Sequence, residues 1–291
     1  MRDFEPNLPQ PQLNGASRIY AVFGDPVAQV QTPRMINPLF ASHGHDIHAV
    51  PFRVTPAQFE AAWQVFAALD NVVGIGVTVP HKIAAARRCA LLTDAARAVG
   101  AVNCIKRRPD GSMHGALFDG VGFVEGLGAH RVRLENARVL MIGAGGAGRA
   151  IAHALAREGI RSLAVLDPDA EATRFTVEMV NGSCGFQLAS APAKAQLSEV
   201  DVLINASPVG VKPGLTLPID LAELDQAMLV ADIACLDRET GLLEAARKRG
   251  CAISDGNAML KAQIELIAGF AAGFEPGEPV RQAEQNATPR S

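Results

Sequence analysis

Residues 137–159 read ARVLMIGAGGAGRAIAHALAREG: an apolar run, a turn of glycine and alanine, then alanine-rich sequence with apolar residues at helical spacing. The apolar run closing at Ile142 predicts a buried strand, and the alanine-rich stretch predicts a helix opening near Gly146. The turn between them, Gly143, Ala144, Gly145, Gly146, Ala147 and Gly148, has the G-x-G-x-x-G spacing. Residues without a Cβ let backbone amides approach a pyrophosphate held at a helix N-terminus. A glycine-rich turn that holds no ligand is the alternative, and spacing alone does not exclude it.

A second strand-like run, SLAVLD, ends at Asp167, nineteen residues after Gly148. An acid at that place accepts hydrogen bonds from an adenosine ribose diol and repels a 2′-phosphate, which favours NAD over NADP. The stretch DPDAEA also suits a helix start, with Asp167 as the cap and Asp169 competing for either role.

On the C-terminal side, FQLAS, DVLINAS, MLVADIA and CAISD continue the alternation of strand and helix, and NAMLKAQIELIAGF closes it as one long apolar-faced helix. With no strand after it, that helix is expected to return and pack on the first part of the chain. Upstream, IYAVFG, a helix from Thr32 to Gly44, IHAVPFRV, a helix from Pro56 to Leu69 and VVGIGVTVP repeat the pattern, and HKIAAARRCALL reads as a helix with Lys82 at its start. AVNCIKRR and MHGALF flank the turn PDGS as a hairpin, and Asp119 lies just past it. Residues 120–136 are glycine-rich and helical and mark a boundary. The whole predicts an α/β protein of two domains, which its 291 residues accommodate.

Composition narrows the partners. With 27 basic residues against 30 acidic ones, net charge −3 and no basic stripe, nucleic acid is excluded as an expected partner. No apolar run is long enough to cross a bilayer. Five cysteines, odd in number, without a C-x-x-C pair or histidines at metal spacing, indicate a reduced cytoplasmic setting and no bound metal. Residues 1–16, with Pro6, Pro9 and Pro11 and no apolar core, read as a flexible tail rather than a signal peptide.

Oxidising a secondary alcohol with hydride transfer to nicotinamide requires a group that takes the hydroxyl proton. Lys82 and Asp119, each at an end of a strand-like element, are the candidates in the first half. The plain alternative makes Lys82 a surface lysine at a helix start and Asp119 a turn residue or cap.

The segments GDPVAQVQTP, VTVPHK, GAVN, FDGVGF, GAGGAGRA, INASPVG and GNAMLKAQ, spread over residues 18–273, resemble in order and spacing the shikimate dehydrogenase family. The resemblance implies a substrate-binding and catalytic domain of residues 17–119 plus 257–291. It also implies a Rossmann-type, doubly wound NAD-binding domain of residues 120–256, with the catalytic cleft between the two. Carried over, Lys82 and Asp119 match the catalytic dyad, and Thr78, Asn103 and Gln263 match positions that hydrogen-bond substrate hydroxyls. Gly256 and Met259 match positions near the nicotinamide, and Asn205, Ser207, Pro208 and Val209 belong to a loop lining the cofactor.

The departures lie mostly on the substrate side. Where the family usually places two serines that grip the substrate carboxylate, this chain has Val30 and Thr32; the usual asparagine before VTVPHK is Gly76, the usual Asn-Thr before the aspartate is Leu117-Phe118, and the usual tyrosine near the cofactor is Cys235. Basic residues that hold a 2′-phosphate in NADP-using members are replaced by Pro168, Asp169 and their neighbours. The reading is an NAD-dependent dehydrogenase, monomer or homodimer, oxidising a ring hydroxyl of shikimate, quinate or a related cyclic hydroxy acid. Two alternatives stay open: a dehydrogenase of a non-shikimate, more apolar analogue, and a non-catalytic homologue that senses a ligand or NAD.

Overall fold

The computed structural model describes residues 13–194, 196–211, 214–235 and 238–283. Of the expected N-terminal tail, residues 1–12 lie outside the described residues, and Asn14 to Ser17 form a turn closed by two hydrogen bonds.

The first half runs β1 (Arg18–Gly24), α1 (Thr32–Ser42), β2 (Ile47–Arg53), α2 (Phe59–Ala68), β3 (Val72–Val77), α3 (Lys82–Ala86), β4 (Leu91–Leu92), α4 (Asp94–Val99), β5 (Cys104–Arg107), β6 (Met113–Ala116) and α5 (Asp119–Gly126). Its strands form one mixed sheet in the order β2-β1-β3-β5-β6-β4, in which β5 is antiparallel to both neighbours. Alternation along β1 covers both faces: Ala21 and Phe23 pack with Phe59 and Trp63 of α2, while Tyr20 and Val22 pack with Ile36 and Phe40 of α1.

The second half runs β7 (Arg138–Ile142), α6 (Gly146–Leu155), β8 (Ser162–Leu166), α7 (Ala170–Cys184), β9 (Ala189–Ser190), β10 (Val202–Asn205), β11 (Leu229–Asp232), α8 (Gly241–Lys248), β12 (Ala252–Asp255) and α9 (Gly256–Ala271). Its sheet is parallel throughout, in the order β12-β11-β10-β7-β8-β9. That is the doubly wound Rossmann order, with its reversal between β7 and β10, the crevice where open α/β sheets bind ligands. β7 shows why the run is continuously apolar: Val139 and Met141 face Ile151 and Leu155 of α6, and Leu140 and Ile142 face Leu242 and Leu243 of α8.

After β12 the chain leaves this sheet. Leu260, Ile264, Ile267 and Phe270 of α9 pack against Tyr20, Val22 and Phe40 of the first half. Helix α5 is wedged between α9 and α6, which explains its glycines. A Cβ at Gly120 would sit 2.4 Å from the Ala150 carbonyl oxygen of α6, and one at Gly122 would sit 2.9 Å from Gln263 Cβ of α9. The expected helix over HKIAAARRCALL is shorter than read: it ends at Ala86, and Leu91-Leu92 instead pairs with His114-Gly115 as β4. The helix α4 after it has no counterpart in the sequence reading; Thr93 caps it, accepting a hydrogen bond from the Ala96 amide. Among the described residues no helix is long and apolar enough to cross a membrane.

Candidate active site

Lys82 opens α3 and Asp119 opens α5, so the backbone delivers both side chains from the first turns of neighbouring helices. Lys82 Nζ donates to Asp119 Oδ2 in a tight ion pair. The pair is largely dry, with the lysine side chain 13% and the aspartate side chain 5% exposed. The second carboxylate oxygen accepts from Asn103 Nδ2 at 3.1 Å, and the same amide donates to Gln263 Oε1 at 2.9 Å. Asn103 Oδ1 in turn accepts the Phe118 amide at 3.0 Å. Asn103 is thereby satisfied on both ends of its side chain, and it fixes the orientation of the carboxylate.

Of the other substrate-side candidates, Thr32 opens α1 and Thr78 follows β3; both are half-buried, and neither hydroxyl has a protein partner among the described residues. Gly24 makes room for Thr78, since a Cβ there would come within 2.7 Å of the threonine methyl. Val30 packs against the apolar cluster that holds Tyr20, Phe118 and Leu260 and that Cys235 also borders. The structure thus joins Lys82, Asp119, Asn103 and Gln263 through hydrogen bonds, and leaves Thr32, Thr78 and Val30 outside that network.

The glycine turn works through the main chain. Gly143 has φ +108, and a Cβ on it would lie 2.5 Å from the Ala206 carbonyl carbon, so the turn runs directly against the loop after β10. A Cβ at Gly148 would lie 2.1 Å from the Gly143 carbonyl oxygen, which only glycine allows. Nothing lies within 4 Å of a Cβ built at Gly145, and the first amides of α6 have no intrahelical acceptor, so the cradle is open where an anion would sit. Gly146 faces the dyad: a Cβ there would come 3.1 Å from Lys82 Cβ.

Asp167 lies beside this turn. Its Oδ2 accepts the Ala144 amide at 2.7 Å and its Oδ1 accepts the Asp169 amide at 2.8 Å. The cap of α7 is Asp169, which accepts from the amides of Glu171 and Ala172, so the capping alternative for Asp167 falls to its neighbour. Arg149 is close to these acids, and its Nε donates to the Ala144 carbonyl while its guanidinium stacks 4.4 Å over Phe175.

At the other side of the crevice, Asn205 ends β10 and organises the loop through Pro208. Its Oδ1 accepts from the Ser207 hydroxyl at 2.6 Å and the Ser207 amide at 3.1 Å, and its Nδ2 donates to the Val209 carbonyl at 3.2 Å. Gly256 opens α9, and a Cβ on it would meet the Ile233 carbonyl oxygen at 2.3 Å; Met259, one turn on, is buried. The Cys235 thiol donates to the Gly256 carbonyl at 3.1 Å. Burial pushes that thiol up to about 11, with Lys82 pulling it down and Asp119 pushing it up, which places Cys235 within electrostatic reach of the dyad.

Sequence reasoning missed two groups. Asp232 is buried at the end of β11 and accepts from Asn205 Nδ2 and Thr240 Oγ1. An acid closing the apolar run MLVAD was the available signal, because a buried carboxylate requires partners. The other is Tyr20: a Cβ at Gly76 would sit 3.0 Å from its hydroxyl, which donates to Cys104 Sγ, so the buried phenol occupies the space beside the missing asparagine.

A family model described as the shikimate dehydrogenase substrate binding domain matches residues 22–105, and one described as the ThiF family matches residues 123–174. Shikimate dehydrogenase (NADP(+)) of Acidiphilium cryptum is 36% identical, covering 90% of this chain and 92% of its own. A crystal structure of a shikimate dehydrogenase in complex with NADP+ superposes with TM-score 0.81 at 28% identity, covering 91% of this chain and 93% of the other. Shikimate 5-dehydrogenase from Listeria monocytogenes, crystallised with shikimate and NAD, superposes with TM-score 0.77 at 26% identity, covering 93% of this chain and 97% of its own.

Proposed function

Because the chain belongs to the shikimate dehydrogenase family, we propose that it catalyses the reversible, NAD-dependent oxidation of a ring hydroxyl in shikimate, quinate or a related cyclic hydroxy acid. The observation that carries this reading is the largely dry Lys82–Asp119 pair, with Lys82 lying against Gly146 of the phosphate-type turn. Residues 17–119 with 257–291, of which 284–291 lie outside the described residues, act as the substrate-binding domain and residues 120–256 as the cofactor domain.

In this reading Lys82 Nζ exchanges the proton of the reacting hydroxyl, and Asp119 holds Lys82 and that hydroxyl in line. Asn103 keeps the carboxylate from turning away, and the Gln263 amide with the Thr78 and Thr32 hydroxyls receives the remaining hydroxyls of the ring, each of which is both donor and acceptor. The nicotinamide, when bound, supplies the hydride acceptor. Gly143 to Gly148 hold its phosphates, and Asn205, Ser207, Pro208, Val209, Gly256 and Met259 frame its nicotinamide end. The five unpaired cysteines fit a reduced, cytoplasmic setting.

The preference for NAD rests on Asp167 and Asp169. A 2′-phosphate would enter beside two carboxylates, and Arg149 next to them is already engaged by the Ala144 carbonyl and Phe175. Two of the named relatives pull the other way, since Acidiphilium cryptum's is called an NADP(+) enzyme and one crystal structure is a complex with NADP+, whereas the Listeria monocytogenes enzyme was crystallised with NAD. The packing of Val30 against the Tyr20–Phe118 cluster favours a second reading, a dehydrogenase whose substrate is more apolar on its carboxylate side.

Lys82→Ala tests the assignment. We expect kcat to fall about 10³-fold, within the range for a lost general base, while the affinity for the dinucleotide, read by fluorescence titration, stays close to wild type. A variant of near-normal turnover removes Lys82 from the mechanism.

A further inference from the structure

Two segments flank the crevice where the Rossmann strand order reverses: residues 206–211 after β10, which ends at Asn205, and residues 233–235 after β11; Thr240 stands at the start of α8. Asp232 lies between them and is 1% exposed. Its Oδ2 accepts from Asn205 Nδ2 at 3.0 Å and from Thr240 Oγ1 at 2.8 Å, and its Oδ1 accepts the Ala234 amide at 3.1 Å. Thr240 is the N-cap of α8, accepting the Leu243 amide, so the carboxylate ties a strand end, a helix start and a loop to one point.

The chain of contacts continues outward from Asn205. That side chain holds both the hydroxyl and the amide of Ser207 and the carbonyl of Val209. Ala206 and Ser207 then form the wall against which Gly143 is pressed, at distances that leave no space for a Cβ. Ala234, held by Asp232, precedes Cys235, whose thiol is bonded to Gly256. Both sides of the proposed dinucleotide site therefore lead back to a carboxylate that is too deep to touch a ligand.

We propose that Asp232 is a positioning residue for the dinucleotide, setting the Asn205–Val209 loop against Gly143 and the Ala234–Gly256 contact through its three hydrogen bonds. The proposal rests on the dinucleotide-binding reading above. A carboxylate suits the place because all three partners are donors. Burial raises its pKa, and the bonds from Asn205, Ala234 and Thr240 oppose that rise. An asparagine has the same shape but must turn its NH2 toward at least one of those donors, so Asp232→Asn disturbs the loop without opening a cavity.

The test is a fluorescence titration of the full chain with NADH and with NADPH. Asp232→Asn is expected to weaken the preferred dinucleotide about tenfold, and adding Asn205→Ala to it is expected to cost much less than Asn205→Ala costs alone, since both act through one link. If Asp232→Asn binds the dinucleotide within twofold of the parent, the proposal is overturned, and a lowered melting temperature with unchanged affinity overturns it as well. Should Asp232→Asn not fold, Thr240→Val removes one donor from the far side of the carboxylate. It is expected to weaken the dinucleotide about threefold, and unchanged binding overturns the proposal. A parent chain that binds neither dinucleotide overturns this proposal together with the cofactor reading, whereas equal binding by parent and Asp232→Asn overturns this proposal alone.

Discussion

In the proposed reading the turn from Gly143 to Gly148 offers a dinucleotide its main chain, and six consecutive residues complete it. The Lys82–Asp119 site offers side chains, assembled from residues 37 apart in sequence and joined by Asn103 to Gln263, a further 160 residues away from that asparagine. The first is built by leaving atoms out: Cβ atoms at Gly143 and Gly148 would collide with backbone. The second is built by putting charges where water is scarce and then pairing them, which makes each partner's loss costly. A backbone site is therefore tolerant of chemistry but intolerant of shape, and a buried ion-pair site is the reverse. Gly146 against Lys82 is where the two meet, so in the proposed reading dinucleotide and proton acceptor share one wall.

The contrast between the two regions is tested hardest at Asp119. Asp119→Asn keeps the shape but leaves Lys82 without its counter-charge, and kcat should fall about 10²-fold with dinucleotide affinity unchanged; steady-state kinetics paired with a binding titration reads both. An equal loss in affinity would show that the two regions are not separable.

A smaller effect is expected at the turn's acidic edge. Asp167→Ala removes the carboxylate that accepts the Ala144 amide and, in the proposed complex, the ribose hydroxyls. The ratio of kcat/KM for NAD to that for NADP should drop about tenfold, the size of one charge-assisted hydrogen bond. An unchanged ratio would remove Asp167 from cofactor choice.

The mildest change belongs to the substrate wall. Val30→Ser restores a hydroxyl next to Thr32, and KM for shikimate or quinate should improve about threefold to tenfold, the worth of an ordinary hydrogen bond. A worse KM would favour the reading with the more apolar substrate.

The same contrast decides what the sequence reveals. The glycine turn and the strands around it are legible because their information is local: consecutive apolar residues, then glycines at fixed spacing. Of the long-range cluster, Lys82 and Asp119 are legible only as candidates at the ends of strand-like elements, with a surface lysine and a helix cap as the plain alternative. Asn103 and Gln263 enter only through the family resemblance, since none of the four carries a local signature. β4 escaped because two leucines become a strand only by pairing with His114-Gly115, a tertiary event with no period of its own. The Asp167 and Asp169 roles could not be separated from DPDAEA alone, because capping and turn-bracing both call for a short carboxylate; the structure gives the cap to Asp169 and the glycine turn to Asp167. Asp232 escaped for a related reason: its partners Asn205 and Thr240 lie 27 and 8 residues away.

One assay of the purified chain bears on all of this: shikimate, quinate, aminoshikimate and simple cyclohexane alcohols, each offered NAD and NADP, with reduced nicotinamide followed by absorbance. A dehydrogenase built as described turns over at least one of the cyclic hydroxy acids, faster with NAD than with NADP. Binding of these ligands without reduction of either dinucleotide would contradict that mechanism and leave the chain a sensor built on a dehydrogenase fold.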